Sequence, residues 1–213
     1  SHKPETMDRP AEIICTGASR RPEIPLCKPA VHTCQSTYLY PFMKFIHVSI
    51  ITIGDELLIG QVTDTNSAWM AQALNQAGIA VSRRVAVGDD RESILKAVDE
   101  EMAAADIVLV TGGLGPTADD ITKPLLCEYF GGRLVLDEGV LTHVKYLFDN
   151  VYRRPMSARN ETQALVPDTC TVLHNAEGTA PGMWFEKNGR ILVSMPGVPF
   201  EMKALMRTTV IPR

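Results

Sequence analysis

A short uncharged run followed at once by a glycine-rich stretch constrains the fold more than any other part of the sequence. Residues 107–110 read IVLV, and residues 111–122 read TGGLGPTADDIT. A continuous apolar run of this kind is typical of a strand buried on both faces of a parallel sheet. Glycines and a proline directly after it are typical of a tight connection to a helix. The junction predicts a βα unit whose loop lies at the carboxyl end of a buried strand.

The chain from residue 43 onwards repeats this alternation of strand and helix. The predicted strands are 44–53, 79–87, 107–110 and 133–136, and the predicted helices are 66–76, 92–105, 119–130 and 138–150. Two further extended runs flank Asn188 and Gly189, a pair that strongly indicates a hairpin turn. We therefore expect a doubly wound α/β domain with a largely parallel sheet and a C-terminal antiparallel hairpin.

Residues 1–42 differ in composition from the rest of the chain. They contain six of the fourteen prolines and show no sustained helical or strand period. Such a composition does not support a packed core. We therefore predict a poorly ordered N-terminal extension over residues 1–42 and a single domain over residues 43–213.

The charge balance and the hydropathy argue against two classes of partner. The 213 residues carry 21 basic and 25 acidic side chains, a formal charge of -4, with no basic block of the kind that binds a phosphate backbone. No stretch approaches the roughly 18 to 20 apolar residues of a membrane helix, and the N-terminal segment lacks the apolar core of a signal peptide. We expect a soluble, cytoplasmic protein without nucleic-acid or membrane contacts.

The glycine-rich stretch has the composition of a phosphate-binding loop. Glycines leave backbone N–H groups open to an anion, a threonine can donate its hydroxyl, and a following helix offers its positive N-terminal end. The residues predicted to contact the ligand are Thr111, Gly112, Gly113, Gly115, Pro116 and Thr117. Because glycines also serve tight connections, a purely structural turn is the alternative.

Two adjacent aspartates close this stretch. Carboxylate oxygens bind Mg²⁺-like cations that bridge phosphate oxygens, so Asp119 and Asp120 are candidate metal ligands and catalytic groups. Carboxylates at the start of a helix also cap it, which is the structural alternative. Their position beside the glycines favours the functional interpretation.

Another polar stretch, GDELLIGQVTDTN at residues 54–66, follows the first predicted strand. Parallel strands end at one edge of a sheet, so this loop should project from the same edge as the glycine-rich one. Asp55 and Glu56 could supply a metal ligand and a general base, and Asn66 could bind a ribose or cap the next helix.

Three later loop motifs, RNETQALVP, NAEGTAPGM and MPGVPFEM, are also candidates for the ligand site. Any one of them could be a turn and no more. If they reach the same edge of the sheet, they would recognise ribose and base. With the glycine that ends the first strand, the ligand-binding residues predicted here are Gly54, Asn160, Gln163, Gly178, Thr179, Pro181, Gly182, Pro196 and Gly197.

These motifs together carry a family resemblance. In the order GDELLIGQVTDTN, TGGLGPTADDIT, RNETQA, GTAPG and PGVPFEM they resemble the N-terminal domain of the competence/damage-inducible protein A (CinA) family, from residue 43 to the C-terminus. That domain is related to the molybdopterin-binding domains of molybdenum cofactor biosynthesis. The resemblance implies a three-layer α/β/α fold, in agreement with the expected doubly wound sheet.

The resemblance also implies an activity. It implies an ADP-ribose pyrophosphatase that releases AMP and ribose 5-phosphate, with a divalent metal (Mg²⁺, Mn²⁺ or Co²⁺) and K⁺ as cofactors. It further implies a homo-oligomer, a dimer or a trimer. In many members a separate C-terminal domain deaminates nicotinamide mononucleotide, and we expect this chain, which ends soon after PGVPFEM, to lack that domain.

Three positions of the central motif bear on this resemblance. In molybdopterin adenylyltransferases the corresponding loop ends in an aspartate implicated in catalysis, and Asp120 matches it by motif. Those enzymes commonly carry arginine at the position of Asp119, which favours the CinA resemblance. CinA-type loops often read GPTKDD, whereas this chain has Ala118, which removes a possible phosphate contact.

Metal-assisted hydrolysis of a nucleotide diphosphate linkage is the leading hypothesis. The glycine-rich loop would hold the diphosphate, while Asp55, Asp119 and Asp120 would hold the metal and help to orient the attacking water. Glu56 is the candidate general base. Two alternatives remain open: adenylyl transfer to a pterin nucleotide on the same loop, and a non-catalytic nucleotide-binding module, which Ala118 favours.

Overall fold

The main sheet of the described residues has six strands, with helices on both faces. The structure is a computed structural model that describes residues 46–213, so the predicted extension over residues 1–42 lies outside the described residues. The strands are β1 (Val48–Ile53), β2 (Val81–Val87), β3 (Ile107–Thr111), β4 (Leu134–Leu136), β5 (Leu165–Pro167), β6 (Thr171–Leu173), β7 (Gly182–Lys187) and β8 (Arg190–Met195). The α-helices are α1 (Asp55–Leu58), α2 (Thr65–Gln76), α3 (Arg91–Ala104), α4 (Thr122–Tyr129), α5 (Glu138–Tyr146), α6 (Ala158–Glu161) and α7 (Pro199–Leu205).

The strand order of this sheet is β2-β1-β3-β8-β7-β6. β1 pairs in parallel with β2 and β3, and β3 pairs in parallel with β8. β7 is antiparallel to both β8 and β6. The prediction of a largely parallel sheet with a C-terminal antiparallel hairpin is therefore confirmed.

Alternate residues of the central strands pack against different helices. Ile51 and Val110 belong to a core cluster with α3 and α4, whereas Ile50 and Leu109 belong to a second cluster with α2 and α7. All four side chains are buried. Burial of both faces explains why β3 reads as an uninterrupted apolar run, and the two clusters give the three layers of the fold.

The hairpin between β7 and β8 turns at the predicted pair. Lys187 pairs with Arg190, and the two residues between them both have positive φ, 54° for Asn188 and 73° for Gly189. Two left-handed residues in succession are the requirement of a type I′ turn, whose twist matches that of the flanking strands. The turn therefore has a local cause in these two residues.

Two predicted elements differ from those observed. The helix expected to start at Asp119 begins at Thr122, because residues 118–119 form a turn that Asp120 stabilises from its side chain. The strand expected at 133–136 is present as β4, but it pairs antiparallel with β5 in a separate two-stranded sheet. A three-residue run shows that a strand forms without specifying its partner.

Side-chain caps fix the starts of three helices. Asp64, Asp90 and Asp137 accept hydrogen bonds from the backbone N–H groups of Ser67, Ser93 and Val140, at 2.9, 2.9 and 2.8 Å. Aspartate at this position satisfies N–H groups that the helix itself cannot.

In the part of the chain that is described, no helix is long and apolar enough to cross a membrane.

Candidate functional site

The loops after β1, β3 and β8 meet at one edge of the sheet. The hydroxyl of Thr111 donates to the carbonyl oxygen of Pro196 at 2.9 Å, and the amide of Asn66 donates to that of Gly197 at 2.8 Å. The backbone N–H of Gly112 donates to the Met195 carbonyl at 3.2 Å. These bonds bring together residues far apart in sequence, as the parallel strand order requires.

The first glycines of the loop after β3 are required by the fold itself. Gly112 and Gly113 have φ of 115° and 65°, a region that disfavours residues with a side chain. A Cβ on Gly112 would also collide with the Ile53 carbonyl, and one on Gly113 with the Thr122 hydroxyl. The structural alternative therefore accounts for these two glycines, whether or not the loop also binds a ligand.

Asp120 folds back over this loop. Its Oδ2 accepts hydrogen bonds from the backbone N–H of Thr117, at 2.9 Å, and from the Thr117 hydroxyl. The carboxylate lies so close to Gly115 that a Cβ there would sit 2.5 Å from Oδ2. Asp120 therefore holds the loop in shape and presents a carboxylate beside its backbone.

A cavity of about 310 Å³ opens beside the glycine loop, and we call it the main cavity. It is lined by Gly113, Gly115, Pro116, Asp120, Thr179, Pro196, Gly197 and Glu201, among others. The lining combines residues of the loops after β3 and β8 with Thr179 of the NAEGTAPGM motif. The predicted ligand-binding positions from three separate motifs thus share one cavity.

Glu201 contributes a buried carboxylate to the main cavity. Its relative exposure is 8%, and its Oε2 accepts a 2.6 Å hydrogen bond from the Asn175 amide. Burial raises the pKa of Glu201, the hydrogen bond from Asn175 opposes the rise, and the charge of Glu177 adds to it. A Cβ on Gly178 would collide with this carboxylate, so Gly178 makes room for Glu201.

A second cavity, of about 190 Å³, lies along the loop after β1. Glu56 and Asn66 line it together with Thr111, Gly112 and Gly197. The Oδ1 atom of Asn66 is buried and has no hydrogen-bond partner among the described residues. Gly197 lines both cavities, so the two are neighbours. Glu56, the predicted general base, and Asn66, the predicted ribose-binding residue, therefore lie beside the main cavity but do not line it.

Acidic side chains crowd this edge of the sheet. Asp55 and Asp89 exchange hydrogen bonds, since each accepts the other's backbone N–H at 3.1 Å. Burial raises the pKa of Asp89, and the charges of Asp55, Glu56 and Asp120 raise it further, against the lowering effect of the Asp55 N–H. Within residues 46–213, no three His, Cys, Asp or Glu side chains are close enough together to hold a metal ion.

A third cavity, of about 140 Å³, contains a buried lysine, and we call it the lysine cavity. Lys123 has a relative exposure of 6%, and its Nζ donates to the carbonyl oxygens of Gln163, at 3.1 Å, and Thr162, at 3.4 Å. Burial lowers its pKa to about 8, although the charges of Cys170 and Asp120 act in the opposite direction. Gln163, a predicted ligand-binding residue, lines the same cavity.

The remaining predicted residues take up varied positions. Asn160 forms a reciprocal cap with Ser157 at the start of α6. Thr117 and Asp119 are exposed, and Gly182 is buried as the first residue of β7. Gly54 donates its N–H to the carbonyl oxygen of Val87.

Pro181 lines a separate cavity of about 150 Å³. Gly178 and Thr179 line it as well, together with the paired rings of His143 and His174.

Lys123, Asn175 and Glu201 were not predicted as site residues from the sequence. Glu201 lies inside the PGVPFEM motif, but nothing in that motif indicates that its side chain is buried. Lys123 is the second residue of α4, where a lysine would ordinarily face solvent. Its burial depends on residues 162–163, which fold over it from about forty positions further along the chain.

Comparisons with known proteins agree with this geometry. A family model described as a probable molybdopterin binding domain matches residues 49–213. A CinA-like protein of Flavobacterium psychrophilum is 48% identical over 165 residues, which are 78% of this chain and 40% of that protein. A CinA-like protein of Cytophaga hutchinsonii is 51% identical over 161 residues, 76% of this chain and 38% of that protein. The chain thus spans about two-fifths of the length of these relatives.

Solved structures give the same result. The crystal structure of CinA from Thermoplasma acidophilum matches with a TM-score of 0.71 and 33% identity, over 78% of this chain and 96% of that one. The molybdopterin biosynthesis enzyme MoaB of Thermus thermophilus matches with a TM-score of 0.53 and 18% identity, over 78% and 89%, and indicates a shared fold. The chain belongs to the family of probable molybdopterin-binding domains and, within it, to the CinA-like proteins.

Proposed function

We propose that this domain is a metal-dependent nucleotide pyrophosphatase that hydrolyses ADP-ribose to AMP and ribose 5-phosphate. The observation that carries the proposal is the main cavity, where a glycine loop and two carboxylates, those of Asp120 and Glu201, line one space. A glycine loop suits an anion, while carboxylates repel anions and accept hydrogen bonds from hydroxyl groups. A ligand that carries both phosphate and sugar hydroxyl groups satisfies the two halves of this lining.

The lining also suggests how such a ligand is oriented. The diphosphate would lie against the backbone of Gly113 and Gly115, where no side chain blocks the approach of an oxygen atom. Ribose hydroxyl groups would donate to Glu201, which the Asn175 amide holds in place. Asp120 lies at the loop, next to the proposed diphosphate, and is the residue we assign to orientation of the attacking water.

In the proposed reaction, water attacks one phosphorus of the diphosphate. A new P–O bond forms, the bridging P–O bond breaks, and the bridging oxygen leaves with the other phosphoryl group. A carboxylate within hydrogen-bond reach can accept a proton of the water. Glu56 remains a candidate for that step, although it lines the neighbouring cavity that shares Gly197 with the main one.

A divalent metal is part of the proposal. Asp55, Asp119 and Asp120 are its candidate ligands, of which one or two would contact the cation directly. A cation here would also relieve the repulsion from Asp55, Glu56 and Asp120 that adds to the effect of burial on the Asp89 pKa. Mg²⁺ commonly binds through one or two carboxylates plus substrate phosphates, so a preformed cage of protein ligands is not required. When bound, the metal would neutralise charge on the diphosphate. K⁺ rests on the family resemblance alone.

Turnover of ADP-ribose by the purified protein tests this proposal. We expect AMP to appear with Mg²⁺, Mn²⁺ or Co²⁺ in the presence of K⁺, as measured by chromatography. Asp120→Asn should lower the rate about 100-fold or more, because the amide keeps an acceptor for Thr117 but loses the negative charge that would hold the metal and orient the attacking water. Asp149→Asn, an exposed change outside these cavities, should leave the rate unchanged.

Absence of AMP with every metal, despite measurable binding of ADP-ribose, would contradict a hydrolase. It would favour a non-catalytic nucleotide-binding module, for which exposed Ala118 is the best argument. The family model supports a further alternative, a molybdopterin-binding domain. Adenylyl transfer by such a domain rests on the resemblance to molybdopterin adenylyltransferases. Transfer of radiolabelled adenylate to molybdopterin in place of water would distinguish that activity.

The homo-oligomer stays a prediction of the family resemblance. The described residues expose several large apolar side chains near the site edge, including Leu58, Ile59 and Phe200. Exposed apolar groups of this kind are compatible with a contact between copies. Sedimentation velocity measures the association state directly, and a monomer at all concentrations would contradict the prediction.

A further inference from the structure

The lysine cavity adjoins the main cavity at the glycine loop. Gly115, Pro116 and Asp120 line both spaces, so the loop and its aspartate form the boundary between them. A ligand with two bulky parts joined by a short linker could place one part in each cavity and the linker beside Asp120. The chemistry of the lysine cavity then indicates which part it takes.

Lys123 gives this cavity a buried donor with a positive charge. Two of its three N–H groups go to the carbonyl oxygens of Gln163 and Thr162, which leaves the third for another partner. It makes no ion pair with a carboxylate of the described residues. A buried cation without a carboxylate in direct contact is costly, and burial lowers the pKa of Lys123 although the charges of Cys170 and Asp120 act against this effect. An anionic ligand would supply a charge in direct contact.

Gln163, which lines the same cavity, carries an unsatisfied acceptor. Its relative exposure is 1%, and its side-chain Oε1 is buried without a hydrogen-bond partner among residues 46–213. A buried polar atom of this kind calls for a partner, because its desolvation is otherwise uncompensated. A neutral oxygen accepts from a hydroxyl group and gains nothing from a bare phosphate oxygen.

We propose that Lys123 and Gln163 form a sugar-phosphate subsite, in which Lys123 contacts the phosphate group and the Gln163 side chain accepts a hydrogen bond from a sugar hydroxyl. Asp120 lies between this subsite and the main cavity. The identity of the ligand as the ribose 5-phosphate half of ADP-ribose rests on the proposed function. Under that proposal the adenosine half occupies the main cavity, and the scissile diphosphate lies at the glycine loop. Lys123 also provides a positive charge near the glycine loop. Position 118, where CinA-type loops often carry a lysine, is Ala118 in this chain and provides no charge.

Binding of ribose 5-phosphate, measured by calorimetry on the full chain, tests the subsite without turnover. We expect Lys123→Met to weaken the affinity about tenfold or more, because a charge-assisted hydrogen bond to phosphate is lost. Lys145→Met removes the same charge from an exposed position of α5 and should leave the affinity unchanged. Equal affinities in Lys123→Met and wild type, or no binding by wild type, would overturn the proposal.

Gln163→Leu separates the two halves of the subsite. It should weaken the binding of ribose 5-phosphate and leave that of inorganic phosphate unchanged, because only the sugar offers a hydroxyl to Oε1. An equal loss for both ligands would overturn the assigned role of Gln163. If a variant does not fold, ¹³C NMR of the wild-type Lys123 side chain decides the matter. Its pKa should rise when ribose 5-phosphate binds, and an unchanged pKa would overturn the subsite.

AMP release, measured on the same samples, keeps this inference apart from the proposed function. Binding that depends on Lys123 without any turnover supports the subsite and contradicts the pyrophosphatase. If AMP is released but Lys123→Met binds ribose 5-phosphate as tightly as wild type, the result supports the pyrophosphatase and overturns the subsite.

Discussion

At the scale of single residues, Asp120 and Lys123 show how the site uses positions that the fold already constrains. Asp120 holds the glycine loop through Thr117, and the same carboxylate lines both neighbouring cavities. Lys123 ties α4 to residues 162–163, and it lines one of those cavities as well. Each side chain therefore has a structural contact that fixes its position and also lines a cavity in which we propose that a ligand binds. Substitutions at either position need a measurement that separates the two roles.

The lowered pKa of Lys123 makes a prediction about stability and pH. The folded protein releases this proton near pH 8, whereas the unfolded chain holds it to about 10.5. Between these values the unfolded state binds more protons, so the free energy of unfolding rises with pH as far as Lys123 is concerned. The full shift is worth up to about 3 kcal/mol. We expect Lys123→Met to lose this rise.

Urea unfolding between pH 8 and 9 measures this effect. The lower limit is the folded pKa of Lys123, about 8, and the upper limit is 9.0, the ordinary pKa of a cysteine thiol such as that of Cys170. Above it, the Cys170 thiol acts in the opposite sense, because burial raises its folded pKa to about 11. Lys145→Met is the matched control and should keep the wild-type slope. The same slope in Lys123→Met and wild type would show that Lys123 titrates normally in the folded protein.

At the scale of elements, some features could be predicted from local sequence and others could not. β3 was predictable because burial on both faces demands an apolar run, and the hairpin because its turn needs two residues that tolerate positive φ. The start of α4 was mispredicted because Asp120 bonds to its own loop. The burial of Lys123 and Glu201 could not be predicted, since it comes from Gln163 and Asn175, which are distant in the chain.

The turn between β7 and β8 allows backbone strain to be measured without a change in contacts. Gly189 has φ of 73°, and a Cβ built there meets nothing within 4 Å. Gly189→Ala should therefore lower the free energy of unfolding by about 1 to 2 kcal/mol through its backbone conformation alone. Gly189→Asn should cost less, because asparagine tolerates this region. Urea unfolding compares them, and equal losses would show that the left-handed preference does not set the cost.

At the scale of the whole molecule, the acidic edge of the sheet predicts that metal and nucleotide bind together. The charges of Asp55, Glu56 and Asp120 all act on Asp89, yet no three of the described metal-binding side chains are gathered around one point. A hard cation would then need phosphate oxygens to complete its coordination. We expect Mg²⁺ alone to bind weakly, and the nucleotide to bind more tightly when Mg²⁺ is present.

Thermal unfolding with the four combinations of Mg²⁺ and ADP-ribose measures this coupling. Chelator-treated protein with neither ligand sets the baseline, and Mg²⁺ alone should leave the melting temperature near it. Both together should raise it, because a ligand at 100 times its Kd stabilises the folded state by about 2.7 kcal/mol, or about 5 to 10 °C for a domain of this size. Asp120→Asn should lose most of the contribution that depends on Mg²⁺. A full shift with Mg²⁺ alone would instead indicate a metal site built from protein ligands, in which case the cation would precede the nucleotide.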